Sequence, residues 1–346
     1  MAKTFATSVP TKTMKLGYWT AQEQHSMQQL LEFVVEAEHA GFQTTGTSDH
    51  FHPWWHDNAY GNFTWVWIAA AAERTKKMHF MTGVTAPIYR YHPAIIAQAF
   101  ASLDTLYPGR VALGAGSGEA MNEVPLGFDW PRTGERLART REAIEIIEKL
   151  WTGEFVNFSG KCYNIRNAKL YTPPAGKVPL YMATSGEDSA AIAGRHCDGL
   201  ITFLKPDKVG KIFSAFDRAA QESGKDSDGL AKVAEYKVSF SEDYDSAFES
   251  TKFWRATEID SVFSSTISDP RELQQKALQE VPDEKLKESF QITTSIEDCI
   301  KPIEEYFRAG FTRVYAHSSS PDEIKFIREF GKKVLPHFAS ARAATA

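Results

Sequence analysis

The stretch Thr44-Thr45-Gly46-Thr47-Ser48-Asp49-His50-Phe51-His52-Pro53-Trp54-Trp55 sets the reading of the whole chain. Its first half is small and β-branched, the composition of a strand. Pro53 stops the run, because proline lacks the N–H that a sheet ladder needs. An acid, two histidines and two tryptophans therefore crowd a point where a strand ends and a loop begins. Histidine titrates near neutrality and moves protons, and an adjacent acid fixes its tautomer. Tryptophan offers a flat face to a ring-shaped ligand. The kit suits redox or acid–base chemistry on a ring-shaped cofactor.

Outward from this stretch, strand-like and helix-like segments alternate. Strands are expected at residues 15–20, 44–49, 79–84, 110–114, 179–183, 200–203, 233–241 and 313–316. Helices are expected at 26–40, 65–74, 93–106, 135–151, 189–196, 209–223, near 245–254 and at 321–334. Ser26 is a helix N-cap, Gly41 a helix stop, and Pro93 suits a first helical position. Eight such units favour an α/β fold of the (β/α)8 barrel type over a doubly wound sheet. Two stretches depart from the repeat: a hairpin at 155–165 turning at Ser159-Gly160, and a polar, helical insertion at 255–291. Residues 1–13 read as a loose tail and 14–340 as one barrel domain.

Composition narrows the function class. The 346 residues are 42% apolar and 24% charged with a net charge of -5, an ordinary globular balance. Basic residues are scattered, which speaks against nucleic acid as a partner. No apolar run reaches the roughly 18–20 residues of a membrane helix. Residues 1–13 lack the apolar centre of a secretory signal. Cys162, Cys197 and Cys299 match no metal or disulfide spacing and fit a reducing cytoplasm.

Other strand ends carry candidates. Gly114-Ala115-Gly116-Ser117-Gly118-Glu119 spells GxGxGE rather than GxGxxG; no helix is expected directly after it, and Pro125 interrupts. It reads as a glycine turn whose bare backbone lets a ligand approach and aims Glu119 inward. His50 and His52, two apart, are expected to share a side. With His56, Asp49 and Asp57 they could ligate a metal, but Pro53 breaks the spacing and none is expected. Thr82-Gly83-Val84-Thr85-Ala86-Pro87 is either a strand stopping at a proline or an unusual peptide propping a flat ring. Ala183-Thr184-Ser185-Gly186 meets a helix N-terminus, a place for phosphate. Glu23, taken alone, reads as a solvated acid.

Ser48–Trp54, Arg90-Tyr91-His92-Pro93-Ala94 with Ala97-Gln98, Tyr107-Pro108-Gly109-Arg110-Val111 and Gly118-Glu119-Ala120-Met121-Asn122-Glu123 together resemble the bacterial luciferase-like superfamily. Within it they are similar to dehydrogenases that use the deazaflavin coenzyme F420. The resemblance implies a barrel, a homodimer and a cis peptide at Gly83-Val84. It implies His50 as base, Trp54 beside the reacting carbon, Glu119 as acid or donor to the deazaflavin, and Glu23 as orienter or relay for His50. It further implies coenzyme contacts from Asp49, Gly83, Val84, Thr85, Ser117, Gly118 and the loop Ala183, Thr184, Ser185 and Gly186. Trp54, Thr202, Lys205 and Trp254 become candidate substrate contacts.

Two branches compete, one oxidising secondary alcohols and one oxidising glucose 6-phosphate. Ser264 and Ser289 stand where the sugar-phosphate branch has basic residues, and a phosphate dianion needs charge-assisted partners. The alcohol branch is therefore expected, with Lys205 or Lys276 as possible compensating cations. An FMN-dependent monooxygenase and a non-catalytic cofactor carrier are the remaining alternatives. A carrier has no need of the His50, Trp54 and Glu119 set.

Overall fold

The computed structural model describes residues 14–343 apart from residue 261, with side chains to residue 339. The expected tail at 1–13 lies outside the described residues. Eight parallel strands close a barrel: β1 Lys15–Thr20, β2 Thr44–Thr47, β3 His79–Thr82, β4 Val111–Ala115, β5 Leu180–Ala183, β6 Gly199–Thr202, β7 Ala231–Phe240 and β8 Arg313–Ser318. Closure runs from β8 back to β1, with Lys15 opposite Arg313 and Tyr18 opposite Ala316. The expected (β/α)8 barrel is the observed fold.

Local chemistry explains the boundaries. The helix Met27–His39 starts where Ser26 and Gln29 cap each other reciprocally. It ends before Gly41, whose φ of 105° lies in the left-handed region that glycine tolerates. His92 caps the helix Pro93–Leu106, with Pro93 in its first turn. The hairpin pairs Val156–Ser159 with Asn164–Ala168, and its turn is held by Glu142, which accepts from the N–H groups of residues 161, 162 and 163.

Period two sorts the strand residues. In β7, Ala234, Tyr236 and Val238 join the apolar layer under the helices, while Val233 faces the barrel interior. In β8, Val314 and Ala316 face outward and Tyr315 inward. The interior is filled by Trp19, Met81, Tyr181, Ile201, Val233 and Tyr315. Bulky rings there need bare neighbours. A Cβ on Gly46 would stand 2.5 Å from Trp19, and one on Gly83 would stand 2.2 Å from it.

Four local expectations change. β2 stops at Thr47 rather than at residue 49, so strand alternation does not extend to His50 and His52. A short helix, Ala120–Glu123, does begin directly after Glu119. The insertion between β7 and β8 continues past residue 291 into a strand, Gln291–Thr293, which lies parallel to the end of β7. A helix, Ile300–Arg308, then precedes β8. Among the described residues no helix is long and apolar enough to cross a membrane.

Candidate active site

A cavity opens at the C-terminal ends of the strands, the end where barrels of this type carry their chemistry. β1 and its loop deliver Trp19 and Glu23, the loop after β2 delivers Ser48 and His50, and the segment after β3 delivers Gly83 and Val84. The peptide between Gly83 and Val84 is cis. Glu119 follows β4, and Trp54 and Trp254 close the sides.

Glu23 is buried rather than solvated, at 1% exposure. Its Oε2 accepts from the Ser48 hydroxyl at 2.6 Å. Its Oε1 has no hydrogen-bond partner and lies 3.4 Å from His50 Nε2. Burial outweighs the Ser48 hydrogen bond and pushes the carboxyl up to about 7.

His50 departs from the near-neutral base that the sequence suggests. Burial, then the nearby Arg90 charge, push its pKa down to about 3, so the ring is neutral. Asn122 decides which nitrogen bears the hydrogen. Its Oδ1 accepts from the Phe51 N–H at 2.7 Å, which turns its Nδ2 toward His50 Nδ1 at 3.1 Å and Glu119 Oε2 at 3.0 Å. Nδ1 therefore accepts, and Nε2 carries the hydrogen that faces Glu23. Trp54 packs edge-on against the ring at 5.4 Å between centroids.

Glu119 stands, half-buried, at the N-cap position of the short helix without a side-chain capping bond. Desolvation pushes its carboxyl up to about 7, against the pull of Arg90, Arg136 and the Asn122 amide. Gly118 before it has φ 70°, a turn that a side chain would strain. Asp49 is buried and does not line the cavity. Thr85 donates to one of its oxygens at 2.6 Å, and Arg90 grips the other at 3.2 Å. Thr85 in turn accepts from Trp65 Nε1 at 3.3 Å. This cluster ties the loop after β2 to the segment after β3.

Several expected positions lie elsewhere. His52 does not share the side of His50; its Nδ1 meets the Ser268 carbonyl at 3.0 Å, because the backbone has already left the strand. Thr202 is fully buried and outside the lining. Lys205 is exposed and donates to the Glu288 carbonyl at 2.5 Å, away from the cavity. Lys276 pairs with Glu280 on its own helix. Ser117, Gly118, Ala183, Thr184, Ser185 and Gly186 do not line this cavity either. The Thr184 N–H is taken by the Ile201 carbonyl at 2.8 Å, and the helix after Gly186 opens with Glu187 and Asp188. Trp254 does line the cavity, and its Nε1 donates to Gln24 at 2.9 Å.

Sequence reasoning missed the wall formed by β7 and β8. Glu235 and Lys237 sit on the inward phase of β7, and His317 on that of β8. His317 Nδ1 meets Glu235 Oε1 at 2.5 Å. Lys237 donates to Glu258 at 2.7 Å and to Thr257 at 2.9 Å. Burial alone would raise the Glu235 carboxyl, but His317 and Lys237 hold it below the ordinary range. The available signal was a pair of charges two apart in a strand otherwise rich in apolar residues.

The luciferase-like monooxygenase family model matches residues 13–313. The chain belongs to the luciferase-like family. It is 37% identical to an F420-dependent glucose-6-phosphate dehydrogenase of Microbacterium testaceum over 94% of this chain and 98% of that one. A second relative of that description, from Nakamurella multipartita, is 36% identical over 93% of this chain and 96% of its own. Among solved structures, an F420-dependent secondary alcohol dehydrogenase in complex with an F420-acetone adduct is 37% identical, with a TM-score of 0.90. That match covers 93% of this chain and 98% of the other.

Proposed function

We propose that the protein oxidises an uncharged secondary alcohol, with coenzyme F420 as hydride acceptor. It is an F420-dependent dehydrogenase acting on CH–OH donors. The observation that supports the alcohol branch is the charge balance of the cavity. Its lining holds the carboxyls of Glu23, Glu119, Glu235 and Glu258 against one ammonium, Lys237, which Glu258 already neutralises. Ser289 adds no positive charge; its hydroxyl donates to Glu258 at 2.6 Å. A phosphate dianion would meet carboxylates where it needs cations.

The residues present fit a deazaflavin. Gly83 and Val84 supply a bare, apolar wall segment, and Glu119 supplies a protonated acid beside it. Coenzyme F420 supplies the hydride acceptor when bound. Glu23, raised to about 7, is the proton acceptor for the substrate hydroxyl. His50, neutral and fixed by Asn122, donates from Nε2 to oxygen and orients it. This reverses the expected division of labour between the two. Trp54 holds the His50 ring and narrows the space for the reacting carbon. Glu119 carries a proton at the coenzyme side, and the Asn122 amide, which donates to its Oε2, orients the carboxyl.

The protein acts in the cytoplasm as a homodimer; three cysteines without disulfides suit the first point. Val66 and Ile95, exposed on the outer helices Thr64–Arg74 and Pro93–Leu106, are compatible with the second. Anaerobic mixing of protein, F420 and either isopropanol or glucose 6-phosphate tests the branch. Loss of deazaflavin absorbance with the alcohol is expected. A sugar phosphate ahead by roughly tenfold in kcat/KM, about 1.4 kcal/mol, would reverse the assignment.

A further inference from the structure

A hydrocarbon alcohol needs polar contacts only at its reacting oxygen, and Glu23 with His50 supply them. The rest of such a pocket would be apolar. Here the β7–β8 side of the cavity instead carries a hydrogen-bonded pair, Glu235 with His317, and an ion pair, Lys237 with Glu258. Polar groups that give up hydration in this way must be repaid by their partners, and apolar replacements at such places are often neutral or stabilising.

One atom of this wall is unspent. The His317 side chain is 2% exposed, and its Nε2 has no hydrogen-bond partner. Leaving such a group unpaired forfeits the hydrogen bond that water gave it in the unfolded chain. The ring cannot turn to relieve it. Glu235 fixes Nδ1, Trp19 stacks on one side with centroids 5.9 Å apart, and Trp254 meets it edge-on at 4.4 Å. The wall thus presents a rigid imidazole, two carboxylates and one ammonium. That mixture suits hydroxyl groups, each of which donates and accepts. An anion would meet the carboxylates, and a cation would meet Lys237.

We infer that the substrate is an uncharged polyol or sugar, whose further hydroxyls are recognised by Glu235, His317, Lys237 and Glu258. This rests on the reading of the protein as an F420-dependent oxidase of uncharged alcohols. The polyol is oxidised at one carbon to the ketone; the hydride goes to F420 and the hydroxyl proton to Glu23.

The test compares kcat/KM for isopropanol, glycerol, erythritol, sorbitol, myo-inositol and glucose 6-phosphate in anaerobic F420 reduction. A polyol is expected to exceed isopropanol by about a hundredfold or more, because a site built for hydroxyls rejects analogues that lack them. Calorimetric titration with the same polyols, without coenzyme, is expected to show binding. The Glu235→Leu/His317→Phe double variant is expected to lose that binding and to bring the polyol-to-isopropanol ratio toward one. Its F420 affinity, read by coenzyme fluorescence, is the folding control. Isopropanol matching every polyol in the wild type overturns the inference and leaves the alcohol reading standing. A ratio unchanged in the double variant overturns the role of this wall. Glucose 6-phosphate winning overturns the underlying reading as well. If the variant does not fold, the wild-type series and the titration decide.

Discussion

At His50 the hydrogen sits on Nε2, because Nδ1 accepts the Asn122 amide and Phe51 prevents that amide from turning. A nitrogen that already carries hydrogen cannot take the alcohol proton, which is why the proposed mechanism gives that task to Glu23. Glu23→Gln should lower kcat/KM by about 10²–10⁴, the range for a positioned base. Ionised Glu23 is needed, so activity should rise as pH climbs through about 7. Protonated Glu119 is needed, so activity should fall beyond about 7. The two limbs belong to a coupled set, since the Glu119 charge also raises Glu23. A pH–rate series should show Glu23→Gln without the acid limb, Glu119→Gln without the alkaline limb, and His50→Asn with the acid limb retained. If His50→Asn removes the acid limb, the histidine is the base after all. His50, Trp54 and Glu119 were legible as candidates after strand ends, and all three line the cavity. Glu235 and His317 were not, because a charge inside a strand gives no local sign of which side of the barrel it faces.

Elements were read by period and punctuation, and these succeed where segments are long. The helix between Ser26 and Gly41 carried both of its end signals in the sequence. Four residues cannot display a helical period, so the helix 120–123 was invisible although it carries Asn122. The strand 291–293 is equally short and exists only because the end of β7 offers it a partner. Within β2, Gly46 looks like an ordinary small residue, yet it gives Trp19 of β1 its place. Gly46→Ala should destabilise the barrel by about 1–3 kcal/mol, the usual cost of overpacking. Denaturant unfolding would measure this, and an unchanged midpoint would mean that Trp19 has room to move.

At the scale of the whole molecule, among the described residues, Glu23 and Glu119 in the cavity and Glu323 at the start of the helix after β8 are carboxyls held near 7. Glu323 is buried, accepting from Tyr18 at 2.7 Å and Ser318 at 2.8 Å. An acid raised by folding favours the native state while protonated. Its stabilising contribution is complete below the unfolded value, near 4.5, and is lost as pH rises through about 7. Glu323→Gln, neutral at every pH, should therefore raise Tm by several degrees near pH 8 and change it little near pH 5. Equal shifts at both would show that Glu323 is not titrating. The barrel itself was legible because eight alternations survive errors of a residue or two at each end. Trp19, Trp54 and Trp254, three of the eight tryptophans, stand around the cavity at the strand ends. Indole emits in the near ultraviolet, where a deazaflavin absorbs. A coenzyme seated among these rings is within contact range for resonance transfer, so occupancy can be followed optically, from quenched tryptophan emission, before any substrate is added.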